Sequence, residues 1–123
     1  MKTVPKNLVA LAYVADVRAS IAFYEQLGFE VGNTHSDPAS GEVVWAAMER
    51  GNASLMLGKA SGPVDASQQA VLFYLYYDDI AATHAALAQQ GLAVGAMTYP
   101  FYCPKGEFRV VDPDGYVLML THT

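Results

Sequence analysis

Residues 16–32 and 79–95 are two copies of one pattern. The first reads DVRASIAFYEQLGFEVG and the second DIAATHAALAQQGLAVG. At a constant offset (79 − 16 = 63), Asp16 meets Asp79, Ala19 meets Ala82, Gln26 meets Gln89, Gly28 meets Gly91 and Gly32 meets Gly95. The same offset carries Tyr13 onto Tyr76, and Leu55, Met56 and Leu57 onto Leu118, Met119 and Leu120, with no gap. A register shared over roughly fifty residues is the mark of a duplicated structural unit. The expected organisation is one domain over 1–123, with repeat unit one at 7–58, a linker at 59–69 and repeat unit two at 70–122.

Each unit reads as β-α-β-β-β. Residues 8–15 and 71–77 are continuous apolar runs bounded by polar or turn residues, as in buried strands. Asp16 and Asp79 stand where a helix begins, because a carboxylate there accepts the free first-turn N–H groups. Gly28 and Gly91 close the helices. Residues 29–34 and 92–98 are second strands, 42–49 and 107–111 third strands, and 53–58 and 116–121 fourth strands. Turns at 50–52 and 112–115 join the last two strands of each unit. The Gly/Ser/Ala/Pro-rich stretch 59–67 separates the units. One such unit alone leaves an apolar face and long edges uncovered. Pairing two units, within a chain or between chains, closes a curved sheet around a cavity.

Asp16, Val17, Ser20, Phe23, Tyr24, Leu27, Gly28 and Phe29 form a first-helix pattern. Gly106, Glu107, Phe108 and Arg109, followed by Asp112, Pro113, Asp114, Gly115 and Tyr116, form a last-hairpin pattern. Together they make the chain resemble the vicinal oxygen chelate superfamily (glyoxalase, bleomycin-resistance and ring-cleaving dioxygenase relatives) over about residues 7–122. The resemblance implies an α+β fold, two tandem βαβββ repeats forming curved mixed sheets around a cavity. In the superfamily's metal enzymes, four His or Glu side chains from the first and last strands hold a divalent ion that polarises two substrate oxygens. The matching positions here are Val9, Met56, Leu72 and Met119. Hydrocarbon and thioether side chains do not suit a hard cation. The expectation is a site without metal or cofactor.

Other chemistry finds little support. His35, His84 and His122 share no ligand spacing; His84 falls in the second helix and His35 opens a polar loop. Cys103 lies in an aromatic, proline-bounded loop and reads as a buried, inert thiol. As the lone cysteine it excludes an internal disulfide and fits a reducing, cytoplasmic setting. The net charge of −5 and the absence of any Lys/Arg run argue against nucleic acid. The apolar run at 8–15 is too short for a membrane span. With 53% hydrophobic and only 15% charged residues, the chain is expected to cover part of its surface with a second copy, as a homodimer.

Strand alternation selects the cavity lining. Val9, Leu11 and Tyr13 share a parity with Met56 in the first unit, and Leu72, Tyr74 and Tyr76 share one with Met119 in the second. Trp45, Tyr99, Phe101 and Tyr102 are further candidates for stacking on a flat ligand. Glu107 is the one carboxylate expected near this chamber, opposite Val44 in the repeat. It either pairs with a ligand cation, acts as a general base, or forms a strand-edge ion pair with Arg109 or Lys105. Two functions follow. The first is a metal-free small-molecule binding protein resembling the bleomycin-resistance branch, holding an aromatic, neutral or cationic compound. The second is a glyoxalase- or dioxygenase-like enzyme, lyase or isomerase, with Glu107 as displaced base. A third possibility is a cavity filled by the chain's own side chains.

Overall fold

The structure is a computed structural model that describes residues 3–123. The chain divides between Val64 and Asp65 into two units. In the first, β1 (Ala10–Val14) leads into α1 (Val17–Gln26), followed by β2 (Glu30–Ser36), β3 (Val43–Arg50) and β4 (Ala53–Lys59). The sheet order is β1-β4-β3-β2, with β1 and β4 parallel and the other pairs antiparallel. In the second, β5 (Leu72–Tyr77) leads into α2 (Ile80–Gln89), then β6 (Phe108–Val111) and β7 (Val117–His122), in the order β5-β7-β6. This is an α+β fold of two mixed, open sheets. A short 3₁₀ turn, Ala66–Gln68, occupies part of the stretch expected to be linker.

The helices start where the carboxylates require. Asp16 accepts from the Ala19 amide at 3.2 Å and Asp79 from the Ala82 amide at 3.0 Å, satisfying first-turn donors that have no partner inside the helix. Gly28 and Gly91 follow the helix ends with φ of +103° and +89°. In the first unit the helix buries Val17, Ser20 and Tyr24, and Tyr24 meets Phe23 and Phe29 edge-on. Below it lie Ala12, Val14, Ala46, Met48, Leu55 and Leu57, all buried. In the second unit Ile80 and Leu87 of α2 are buried, as are Phe108, Val110, Leu118 and Leu120 of the sheet. Each core is therefore one helix against one sheet face.

The repeat is visible in the strand register. Leu11 pairs with Met56 and Tyr74 with Met119, the same pair one repeat later. The hairpins depart from it. In the first unit Ala47 faces Met56, whereas in the second Arg109 faces Met119. The third strands are thus related by 62 residues, not 63. One residue is missing before β6 and one is added in the last turn. Arg50 pairs with Ala53 across a two-residue loop. Asp112 instead bonds Tyr116 across three residues, and its carboxylate accepts from the amides of Asp114 and Tyr116 at 2.9 Å each.

Two further expectations need correction. Residues 92–98 do not form a strand. Only Gly95 and Thr98 bond the neighbouring chain, to Arg109 and Glu107, and a spacing of three cannot sustain a ladder whose bonding positions alternate by two. His35 lies within β2, paired with Trp45, and does not open a loop.

Candidate functional site

Laterally paired residues point to the same face of a sheet, so register defines the face opposite each helix. In the first unit it carries Leu11, Met56 and Ala47 in one row and Tyr13, Gly58 and Trp45 in the next. Leu11 and Tyr13 are exposed, as is Val9 just before β1, and Trp45 and Met56 are half-buried. In the second unit the rows are Leu72, Val117 and Val111, then Tyr74, Met119 and Arg109. Tyr76 and Thr121 follow, and continuing the β6–β7 register beyond Phe108 places Glu107 beside Thr121. Leu72, Tyr74 and Tyr76 are all exposed. Both sheets therefore keep one side for the core and present rings, thioethers and aliphatic carbons on the other.

The register shift changes the meaning of Glu107. Linear comparison sets it against Val44, but in the sheet its counterpart is Trp45. Where the first unit places an indole, the second places a carboxylate. Arg109 is the face residue that sequence reasoning missed, since the offset of 63 matches it to buried Ala46. The longer final turn was the available signal.

Glu107 is held firmly. Its amide donates to the Thr98 carbonyl at 2.8 Å and its carbonyl accepts from the Thr98 amide at 2.9 Å. Gly106 before it takes φ of +115°, and a Cβ there would lie 2.5 Å from Met97 Sδ and 3.2 Å from the Tyr99 ring. Only glycine satisfies both conditions. Thr121 Oγ1 donates to the Gly106 carbonyl at 2.9 Å, so that buried hydroxyl is committed to the loop.

Glu107 is 5% exposed. Oε2 accepts a long bond from the Tyr102 hydroxyl, 3.5 Å, and Oε1 is buried with no partner. The strand-edge ion pair to Arg109 or Lys105 is not formed: the ion pairs among the described residues join Arg50 to Glu30 and Lys59 to Glu42. Glu107 leaves its mark on nearby tyrosines. Its negative charge, ahead of burial, pushes the Tyr102 hydroxyl up from its ordinary range. Burial, with Glu107 next, does the same to Tyr74. The Tyr74 ring stacks on Tyr76 with centroids 6.3 Å apart.

The remaining candidates lie in the loop before β6. Tyr99 and Tyr102 are exposed, and Phe101 is 94% exposed with its ring edge-on to Tyr102. Cys103 is buried and free. The three histidines are dispersed. His84 Nε2 is 2.9 Å from the Gly95 carbonyl, with its ring edge-on to Phe108, and His122 Nε2 accepts from the Lys105 amide at 3.1 Å.

At Val9, Met56, Leu72 and Met119, the positions that the resemblance matches to the ion ligands of related enzymes, the side chains offer no oxygen or imidazole donor to a hard cation. No group of three His, Cys, Asp or Glu side chains gathers among the described residues. The residues present do not fit that metal. Nor is any helix among the described residues long and apolar enough to cross a membrane.

Each unit sets one helix on one face of a mixed sheet and none on the other, which is the α+β architecture of bleomycin-resistance-like folds. The sequence matches the Glyoxalase/Bleomycin resistance protein/Dioxygenase superfamily over residues 7–120, and the chain belongs to that superfamily. Its fold is similar to that of a bleomycin resistance determinant encoded on the transposon Tn5 (TM-score 0.75, 22% identity, covering 97% of this chain and 98% of the other). It is also similar to a bleomycin-binding protein complexed with bleomycin (TM-score 0.74, 22% identity, coverage 97% and 99%). A third similar structure is TnmS3, an antibiotic binding protein from Streptomyces sp. CB03234 (TM-score 0.73, 24% identity, coverage 99% and 98%). No curated protein matches the sequence.

Proposed function

We propose that this protein is a metal-free binding protein for a small aromatic, cationic compound, which it takes up without breaking bonds, as a resistance protein does. The observation that carries this reading is the face of the second sheet. Exposed Tyr74 and Tyr76 stand beside half-buried Met119, with the buried, under-bonded Glu107 at the edge. Rings and a thioether favour a flat apolar ligand, and a carboxylate among them favours positive charge. The binding proteins of similar fold, for bleomycin and for an antibiotic, support the same class of function.

The test is a thermal-shift screen with planar aromatic compounds, followed by mass spectrometry of each hit. The expected result is stabilisation by compounds that combine a flat ring system with a positive charge, each recovered unchanged. A chemically altered ligand decides instead for the second reading, a lyase or isomerase with Glu107 as base. That reading has one observation in its favour, the free Oε1 beside a tyrosine hydroxyl.

Two further proposals belong to the whole protein. The exposed apolar residues of the helix-free sheet faces suit a homodimer, and the single buried thiol suits a reducing compartment such as the cytoplasm.

A further inference from the structure

The least satisfied group in the second unit is Glu107 Oε1. A carboxylate taken out of water needs donors on both oxygens. Here Oε2 has one long bond and Oε1 has none. The partner is not supplied internally: Arg109, two residues along the same face, is exposed and makes no ion pair with it, and no ion pair reaches Glu107 from Lys105. Around the carboxylate the surroundings are graded. Glu107 is 5% exposed, whereas Tyr74 is 40%, Tyr102 58% and Tyr76 62% exposed. The three tyrosines are open to solvent and the acid is not. Tyrosine faces attract a cation through their quadrupole, but they do not distinguish one cation from another. A carboxylate oxygen without a donor does, because it requires a hydrogen to accept.

We infer that Glu107 Oε1, with the rings of Tyr74, Tyr76 and Tyr102 around it, is a seat for a protonated amine bearing at least one N–H, and that it discriminates against a fully alkylated ammonium. This deepens the proposed function and rests on it. A primary or secondary ammonium donates to Oε1 and places its carbon chain against the rings. A quaternary ammonium has the same charge and the same attraction to the rings, yet its methyl groups hold the charge away from the oxygen and leave Oε1 unbonded. A hydrogen bond to a charged group is among the stronger contributions a side chain makes, and it is the one that separates these ligands.

The test is titration calorimetry of the full-length protein with three probes sharing one ring system: 2-naphthylethylamine, its N,N,N-trimethyl analogue and 2-naphthylethanol. The expected order is amine tightest, with the quaternary ion and the alcohol each weaker by about tenfold or more. In Glu107→Gln the three converge, the amine losing about tenfold and the alcohol little. If Glu107→Gln does not fold, the order of the three probes on the unaltered protein decides alone. Equal binding of all three by the unaltered protein overturns the ammonium seat while leaving the aromatic-binding reading intact. Binding of none overturns both. A quaternary ion bound as tightly as the amine leaves charge recognition standing and removes the N–H requirement on which this inference depends.

Discussion

At the scale of single residues, two buried side-chain oxygens among the described residues stand out because nothing satisfies them: Glu107 Oε1 and Ser20 Oγ. They are not equivalent. Ser20 lies in the middle of α1, on its buried face against the sheet. An unpaired buried hydroxyl costs free energy, and serine is a poorer helix former than alanine. Ser20→Ala is expected to raise stability by roughly 0.5–1 kcal/mol in urea denaturation. A clear loss there means the hydroxyl has a partner after all. Glu107, by contrast, borders an exposed aromatic face, so its missing partner points to a ligand. Tyr77 carries a different signature. Burial pushes its hydroxyl from 10.0 up to about 12. The folded protein keeps this proton at pH values where the unfolded chain releases it. The stability involved is fully present below pH 10 and is lost as pH rises from there through about 12. Chemical denaturation at pH 9 and pH 11 checks this: Tyr77→Phe is expected to lose less stability between the two than the parent protein. An equal loss places the alkaline sensitivity elsewhere.

At the scale of elements, local chemistry decided the helices and turn geometry decided the sheets. Asp16 and Asp79 cap the two helices at the positions the sequence pattern indicates, because an N-cap depends only on a side chain and the amide three residues on. Asp79→Ala is expected to cost about 1 kcal/mol, measured by thermal or urea unfolding. An unchanged midpoint shows that the Asp79 side chain contributes nothing. The antiparallel pairs were less legible. Their register follows loop length, and side chains alternate with period two, so a single added residue changes which residues share a face. That is why Glu107 stands in the row of Tyr76 and Thr121 and corresponds to Trp45 rather than Val44. The strand expected at 92–98 is missing for a related reason, since bonding at Gly95 and Thr98 alone does not build a ladder. Gly106 joins this loop to the site. Gly106→Ala is expected to cost about 2–3 kcal/mol, through positive φ and the clash with Met97, and to weaken amine binding by displacing Glu107. Denaturation and calorimetry on one preparation test both effects. Full stability in the variant contradicts the strain.

At the scale of the whole molecule, a low charged fraction and exposed apolar residues on the helix-free sheet faces favour self-association. Light scattering after size exclusion is expected to report twice the 13.2 kDa of one chain, nearly independent of salt because the faces are apolar. A monomer at high micromolar concentration rules the homodimer out. Duplication, the α+β composition, both helix starts and superfamily membership were legible in the sequence, since each rests on patterns within a few residues or on a repeat that can be counted. The shared sheet faces were legible too, as alternation along β1 and β5 puts Leu11 and Tyr13, and Leu72, Tyr74 and Tyr76, on one side. What only the tertiary structure decided is the state of Glu107. Its burial, its bond to Tyr102 and its empty oxygen depend on Thr98, Gly106 and a hairpin one residue out of step. No linear pattern encodes the solvation of an atom, because solvation is set by every neighbour folding brings within reach.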